Sequence, residues 1–312
     1  MLQKKLWNSA FLLLMTGTFF WGGNAVVGRM LSTSIPPFTL SFSRMLISFL
    51  ILLPIMYPVF RKEWELAKKQ WKWLLLLAIT GVIGFNVLTY QAAHFTTAIN
   101  ITLVNGASPV IMVLLAYWIM GDKGSLRLYF AVVLSIAGLL WVMTQGSLEQ
   151  LRHLRFNPGD LLMLLAIFMW AVYSVYLKKV TGLGPLSVLF FGTLVGCVLL
   201  LPVTIGELAV REAGPIGVRE VAGMLFLGIF PSIVSLVCWN RAVELIGPSR
   251  CSLFQNLVPV WGAVMAFLML GESITIAHLV GALLVFAGVL LSRGRPQART
   301  QAKPDYAVNE RK

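Results

Sequence analysis

The sequence predicts an all-α integral membrane protein: ten transmembrane helices in two five-helix inverted repeats. Three observations carry this. Apolar residues make up 58% of the 312-residue chain and charged residues 12%, about half the share usual in a soluble domain. The apolar residues gather into runs of about 20, the length that crosses a bilayer at about 1.5 Å rise per residue. The chain also repeats itself: the stretch from Tyr90 to Met143 returns from Asn240 onward at an offset of 150. Pro109 is matched by Pro259, Gly121-Asp122 by Gly271-Glu272, and Ala137-Gly138 by Ala287-Gly288. At a slightly smaller offset Trp21 matches Trp170 and Pro54 matches Pro202. An odd number of crossings per copy turns the second copy upside down, the architecture of many secondary transporters.

The first repeat, residues 9–145, holds spans 9–31, 38–60, 71–92, 97–119 and 126–145. The second, 160–292, holds spans 160–180, 186–206, 220–240, 250–270 and 275–292. In the first span Gly17, Trp21, Asn24 and Gly28 share one helical face. Trp21 is deep in its span, so it reads either as packing or as an aromatic cavity wall; Asn24 is the costlier residue to bury. The second span carries Arg44, the one basic residue clearly inside a span. It either snorkels to the outer interface or faces a cavity and attracts an anionic group or a dipole. Its repeat counterpart is Gly192, so either role is asymmetric.

The third span adds Asn86 and Tyr90, and the sixth presents Trp170 and Tyr173. Trp239 and Asn240 end the eighth; Trp239 reads as an interface anchor, and Tyr90 and Asn240 as gate or anchor residues near opposite faces. Pro109 and Pro259 fall near the centres of the fourth and ninth spans. A mid-helix proline frees the carbonyl four residues back, here Asn105 and Gln255, and the polar groups of Asn105, Gln255 and Asn256 are at hand to satisfy it. Paired broken helices at matching positions point to a transporter's binding site and its hinges; the other reading is a packing kink. Asp122 and Glu272 sit in tight turns and read as caps of the following helices. The tail, 293–312, is basic and reads as disordered.

The net charge of +13 does not indicate a nucleic-acid partner. With the N-terminus inside, 19 of the 25 basic residues fall on inside loops and ends and 5 on outside flanks, as positive-inside threading requires. Both termini are then cytoplasmic. No carboxylate lies near a span centre, no phosphate-cradling loop is present, and no His/Cys/carboxylate cluster has metal-ligand spacing. The expectation is therefore no catalysis, no cofactor and no metal. The three cysteines give no disulfide framework.

These residues carry a family resemblance. Phe20-Trp21-Gly22-Gly23-Asn24, the Arg44 segment, the run from Tyr90-Gln91-Ala92-Ala93 through Pro109 to Gly121-Asp122, and Asn240-Arg241-Ala242 through Pro259 to Gly271-Glu272 resemble the EamA family of the drug/metabolite transporter superfamily. The family pattern has Gly-Glu where this chain has Gly121-Asp122. The resemblance implies an inner-membrane carrier, in many members an exporter of amino acids, related metabolites or drugs. The expected cavity is lined by Trp21, Asn24, Arg44, Asn86, Asn105, Trp170, Tyr173, Gln255 and Asn256, with Pro109 and Pro259 as hinges. The expected partners are a small-molecule substrate and the lipid bilayer; a monomer suffices in principle, and a homodimer is the other arrangement.

Overall fold

A computed structural model of the chain describes residues 7–31, 34–92, 95, 104–122, 124–144, 146–147, 149, 157–211, 214–270 and 275–291. Among these the regular structure is entirely helical. In chain order the helices are α1 (Ala10–Leu31), α2 (Pro37–Lys69), α3 (Trp71–Leu77), α4 (Phe85–Ala92), α5 (Ser108–Met120), α6 (Leu126–Met143) and α7 (Pro158–Tyr176). They continue with α8 (Pro185–Val210), α9 (Val218–Ile229), α10 (Ser235–Ile246), α11 (Pro248–Ser252), α12 (Leu257–Leu270) and α13 (Ile276–Leu291). Seven continuous helical paths are long and apolar enough to cross a membrane, and three shorter apolar helices, Ser108–Met120, Leu126–Trp141 and Ile276–Leu291, fall in the remaining expected spans. Residues 97–103 of the expected fourth span, Glu272 and the tail lie outside the described residues.

The expected span 38–60 is too short. α2 runs for 33 residues to Lys69, about 50 Å against a hydrocarbon core of about 30 Å. Its last turns carry Arg61, Lys62, Glu63, Glu65, Lys68 and Lys69 and leave the apolar layer as a polar helix. Pro54 and Pro58 are accommodated within it.

Polarity is distributed for a lipid surround. Leu126, Val210, Val218, Ile276 and Leu283 are exposed, while Ser48, Thr193, Asn240 and Asn256 are buried. Large contiguous apolar surface is what a membrane-facing bundle presents.

Two of the helical paths widen mid-span. A π segment, Ala78–Gly84, joins α3 to α4, and a second, Phe230–Val234, joins α9 to α10. The offset of 150 superimposes their last five residues. π-bulges recur at functional sites because the wider turn re-aims side chains and loosens the carbonyl ladder.

The helix contacts are reciprocal under exchange of the two halves. α6 packs on α13, its own counterpart, and α2 on α8, also counterparts. α1 contacts α10 and α12, while α7 contacts α4 and α5, the matching pairs. The tightest junction shows this at atomic scale. A Cβ on Gly138 would lie 2.7 Å from the Gly281 carbonyl, and one on its counterpart Gly288 would lie 2.8 Å from the carbonyl of Ala131, the counterpart of Gly281. Both positions need glycine because the obstacle is backbone.

Interhelical contacts at the helix ends fall into two sets. At one end Gln70 Nε2 donates to the Thr181 carbonyl (2.8 Å) and Thr181 N to Gln70 Oε1 (2.9 Å), while Ser249 Oγ donates to Asp122 Oδ2 (2.9 Å). At the other, Glu207 accepts from the first turn of α2, at Thr39 N (2.7 Å), Thr39 Oγ1 (2.9 Å) and Phe38 N (3.2 Å), and Gly214 N donates to the Ser34 carbonyl (2.8 Å).

The cap assigned to Asp122 is corrected. Ser125 Oγ accepts from Leu128 N (3.2 Å) at the start of α6, so Ser125 caps that helix while Asp122 holds Ser249. Its counterpart Thr275 opens α13, where its N–H donates to His278 Nδ1 (3.1 Å).

Candidate functional site

The centre of the molecule has two layers, one polar and one aromatic. Arg44 anchors the polar layer. The residue is 3% exposed, and its guanidinium points into the bundle. Nε donates to Ser232 Oγ (2.9 Å), and Nη1 donates to Asn24 Oδ1 (3.2 Å) and Asn86 Oδ1 (3.3 Å). Of the two roles open to Arg44 in the sequence, the structure has the inward-facing one. The partners are themselves fixed: Ser232 Oγ donates to the Leu227 carbonyl (2.7 Å), five residues back across the π segment, and Asn86 Nδ2 donates to the Val82 carbonyl (2.9 Å). Both re-aimed groups thus belong to the two π segments or the turn beside them. Ser232 is the polar partner that sequence reading missed: it directly follows Pro231, and its repeat counterpart Val82 is apolar, so the duplication does not single it out.

The aromatic layer lies against this one. Trp21 meets Trp170 edge-on (ring centroids 5.4 Å) and Trp239 at a tilt (5.6 Å). Trp170 also contacts Tyr173 (5.2 Å), Trp239 (5.3 Å) and Phe85 (5.4 Å). Three short stretches of chain bind the layers together. In α1, Asn24 serves the polar layer and Trp21, one turn away, the aromatic one. In α4, Asn86 faces Arg44 and Phe85 faces Trp170. In the second π segment, Ser232 takes Arg44 and the Pro231 carbonyl accepts from Trp21 Nε1 (3.2 Å).

Beneath Trp170 the packing is tight. Tyr173 is 1% exposed, and its hydroxyl donates to Asn240 Oδ1 (2.6 Å). A Cβ on Gly81 would strike the Tyr173 ring, so the first π segment passes directly over it. Trp239 is not an interface anchor: it is 1% exposed and donates from Nε1 to Ser174 Oγ (3.1 Å). Asn240 is likewise fully buried within the bundle, and its Nδ2 is directed at the carbonyl of Pro185, the first residue of α8. The cause in both cases is that α10 faces α1 and α8 at this depth. The side chain of Tyr90 lies outside the described residues.

The broken helices form a separate crossing. α5 begins at Ser108 after a turn at Gly106-Ala107, and α12 begins at Leu257 after a 3-10 turn, Leu253–Asn256. The breaks therefore precede Pro109 and Pro259, which sit in the first turn of the following helix, where a missing N–H costs nothing. The expected mid-helix positions for these prolines are corrected accordingly. Ser108 Oγ donates to Gln255 Oε1 across the crossing. Asn256 is buried with Nδ2 unpartnered, and Asn105 is half-buried. The structure thus brings Trp21, Asn24, Arg44, Asn86, Trp170 and Tyr173 into one centre, and Gln255 and Asn256 into the crossing beside it.

The EamA-like transporter family matches this chain twice, over residues 8–144 and 157–294. The chain belongs to the EamA-like transporter family. It is accordingly a membrane-embedded, multi-span member of a transporter family. An uncharacterized transporter of Bacillus subtilis (strain 168), YyaM, is 31% identical over 221 residues, covering 70% of this chain and 72% of that protein. An uncharacterized transporter of Archaeoglobus fulgidus is 27% identical over 295 residues, covering 92% and 98%. A probable terminal-alkyne amino-acid exporter of Streptantibioticus cattleyicolor is 27% identical over 230 residues, covering 72% and 74%. A crystal structure with a TM-score of 0.74 at 18% identity covers 91% of this EamA-family chain and 96% of its own, and shows the same fold.

Proposed function

We propose that this protein is a secondary transporter of the cell inner membrane that exports small organic solutes, amino acids or related metabolites and drugs, by alternating access. The carrying observation is the buried Arg44, held by buried Ser232 and by half-buried Asn24 and Asn86, over an aromatic floor. Ionisable groups at such depth are costly and mark substrate pathways.

The reciprocal helix contacts support ten spans arranged as two inverted five-helix repeats, because contacts that exchange under swapping the halves are what a two-fold axis produces. The two sets of end contacts support the same threading: Gln70, Asp122, Thr181 and Ser249 share one end, and Ser34, Thr39, Glu207 and Gly214 the other. Positive-inside bias makes the first end cytoplasmic, with both termini. Export and amino acids are supported by the name of the Streptantibioticus relative.

The test is solute flux in proteoliposomes across a panel of amino acids, nucleosides, sugars and cationic drugs. Saturable flux of a panel member, lost in Asn24→Ala, is the expected result; no flux of any member overturns the proposal.

A further inference from the structure

One face of α2 changes chemistry along its length while staying on the outside of the bundle. Leu50, Leu53, Tyr57, Arg61, Trp64 and Lys68 follow one another at steps of three and four residues, so they form one stripe, and each is exposed. We infer that this stripe seats an anionic phospholipid, with an acyl chain along Leu50 and Leu53 and the phosphate among Arg61, Lys68 and the basic residues beside them. This rests on the threading proposed above, which makes the leaflet concerned the cytoplasmic one.

The dimensions fit one leaflet. From Leu50 to Trp64 the helix rises about 21 Å, and half a bilayer with its headgroups is about 20–22 Å deep. The leucines therefore lie at the depth of the tails, and Arg61, the first cation, comes where the apolar run ends. Tyr57, Trp64 and Trp71 are exposed at the same end, the level at which amphipathic rings settle in a membrane.

Charge selects the headgroup. Arg61, Lys62, Lys68, Lys69 and Lys72 are all exposed. Two carboxylates accompany them. Glu63 turns to the bundle, half-buried with Oε2 sealed from solvent. Glu65 is exposed and pairs with Lys68 (3.1 Å), and an ion pair so open to water is worth little. Among the described residues Arg61, Lys62, Lys69 and Lys72 have no carboxylate partner. Three of the cations lie against the exposed rings: Arg61 on Tyr57 (5.9 Å to the centroid), Lys68 on Trp64 (5.2 Å) and Lys72 on Trp71 (5.9 Å). These contacts hold long side chains at ring depth, where lipid phosphates are. Positive-inside threading accounts for cations at this end, but it requires neither their rings nor their place at the end of a lipid-facing stripe. A nucleic acid or an acidic protein would meet the same charges and leave Leu50 and Leu53, at tail depth, unused.

The test is thermal unfolding of the full-length protein in a non-ionic detergent, titrated with dioctanoyl phosphatidylglycerol, dioctanoyl phosphatidylcholine or glycerol 3-phosphate. A ligand of the folded state raises the midpoint with its concentration over Kd. Phosphatidylglycerol should stabilise saturably, phosphatidylcholine should bind at least tenfold more weakly, and glycerol 3-phosphate should have no effect. Each basic residue near an anionic surface is worth about fivefold in binding. Arg61→Gln/Lys69→Gln/Lys72→Gln should therefore weaken phosphatidylglycerol at least tenfold. Arg127→Gln/Arg211→Gln/Arg219→Gln removes the same charge from exposed positions elsewhere and should change it less than threefold. If the first triple does not fold, the three single variants carry the test, at about fivefold each.

The inference is overturned if phosphatidylcholine binds as tightly as phosphatidylglycerol, if glycerol 3-phosphate stabilises as well as the lipid, or if the two triples weaken binding equally. Binding in detergent does not depend on threading, so the two ideas fail separately. Patch-dependent binding with Lys62→Cys labelled from outside removes the threading and leaves the lipid site. Labelling from the cytoplasmic side without a preference for the anionic lipid does the reverse.

Discussion

Tyr173→Phe separates packing from solute contact at the most tightly packed aromatic of the centre. The substitution keeps the ring against Trp170 and over Gly81 and removes one hydroxyl. That hydroxyl donates at 2.6 Å to Asn240 Oδ1, and both residues are essentially without solvent exposure. The amide's other described contact, Nδ2 to the Pro185 carbonyl, is long at 3.5 Å. Phenylalanine therefore leaves Asn240 Oδ1 bare, and a buried acceptor without a donor costs about 1–3 kcal/mol. Asn240→Leu should cost a similar amount by stranding the phenol. The double variant removes both members and should cost less than the two singles summed, with a coupling of about 0.5–3 kcal/mol. The assay is reversible unfolding in mixed micelles, with binding measured on the same samples. If Tyr173→Phe is within about 0.5 kcal/mol of the native protein, or if the singles add without coupling, the buried Tyr173–Asn240 bond does not have the weight assigned to it. If stability holds and affinity falls, the hydroxyl is a solute contact.

Gly138→Ala and Gly288→Ala should each destabilise by about 1–3 kcal/mol, because the added methyl meets carbonyls at 2.7 and 2.8 Å that cannot move aside; unfolding in micelles measures this, and two neutral variants would deny the close α6–α13 crossing. Glu207→Ala should cost about 1 kcal/mol by uncapping α2, with Glu207→Gln recovering part of it, since the carboxylate faces three donors and the positive end of the helix. In a background freed of Cys197, Cys238 and Cys251, Lys62→Cys should react with an impermeant thiol reagent only from the cytoplasmic side and Ile216→Cys only from the outside; labelling of both from one side would refute the threading.

The helical fold was legible because its signals are local and additive. Apolar runs, the duplication and the absence of central carboxylates all sit in the linear sequence, and nine of the ten span starts fall within a few residues of a described helix start. The end of α2 was not legible from hydropathy: past residue 60 the helix is held by its own backbone and polar side chains, so the apolar run stops where the helix does not. Individual roles needed contacts between distant segments. Trp239 and Tyr173 lie 66 positions apart and share a core that no span boundary reveals. The prolines misled in an instructive way: proline marks a break, but it tolerates the first turn after one, so Pro109 and Pro259 label the breaks without being in them. The π segments carried no sequence signal beyond glycine and proline near their ends.

Duplication explains where the centre lies, and divergence between the copies explains what it can hold. Trp21 and Trp170 are counterparts in the sequence duplication and their rings touch, as a two-fold relation between the halves would have them do. On one side of that relation Arg44 meets Ser232. The matching pair on the other side is Gly192 and Val82, and these also meet: a Cβ on Gly192 would lie 3.0 Å from Val82 Cγ2. The contact has been kept and its chemistry exchanged, a charged hydrogen bond on one side and apolar packing on the other. Asn86 follows the same pattern, with Leu236 as its counterpart. A symmetric scaffold lined in this unsymmetric way offers one polar pole beside a shared aromatic pair. A solute with two like ends gains nothing from that arrangement, whereas one with a polar end and an apolar body meets complementary chemistry in one orientation only.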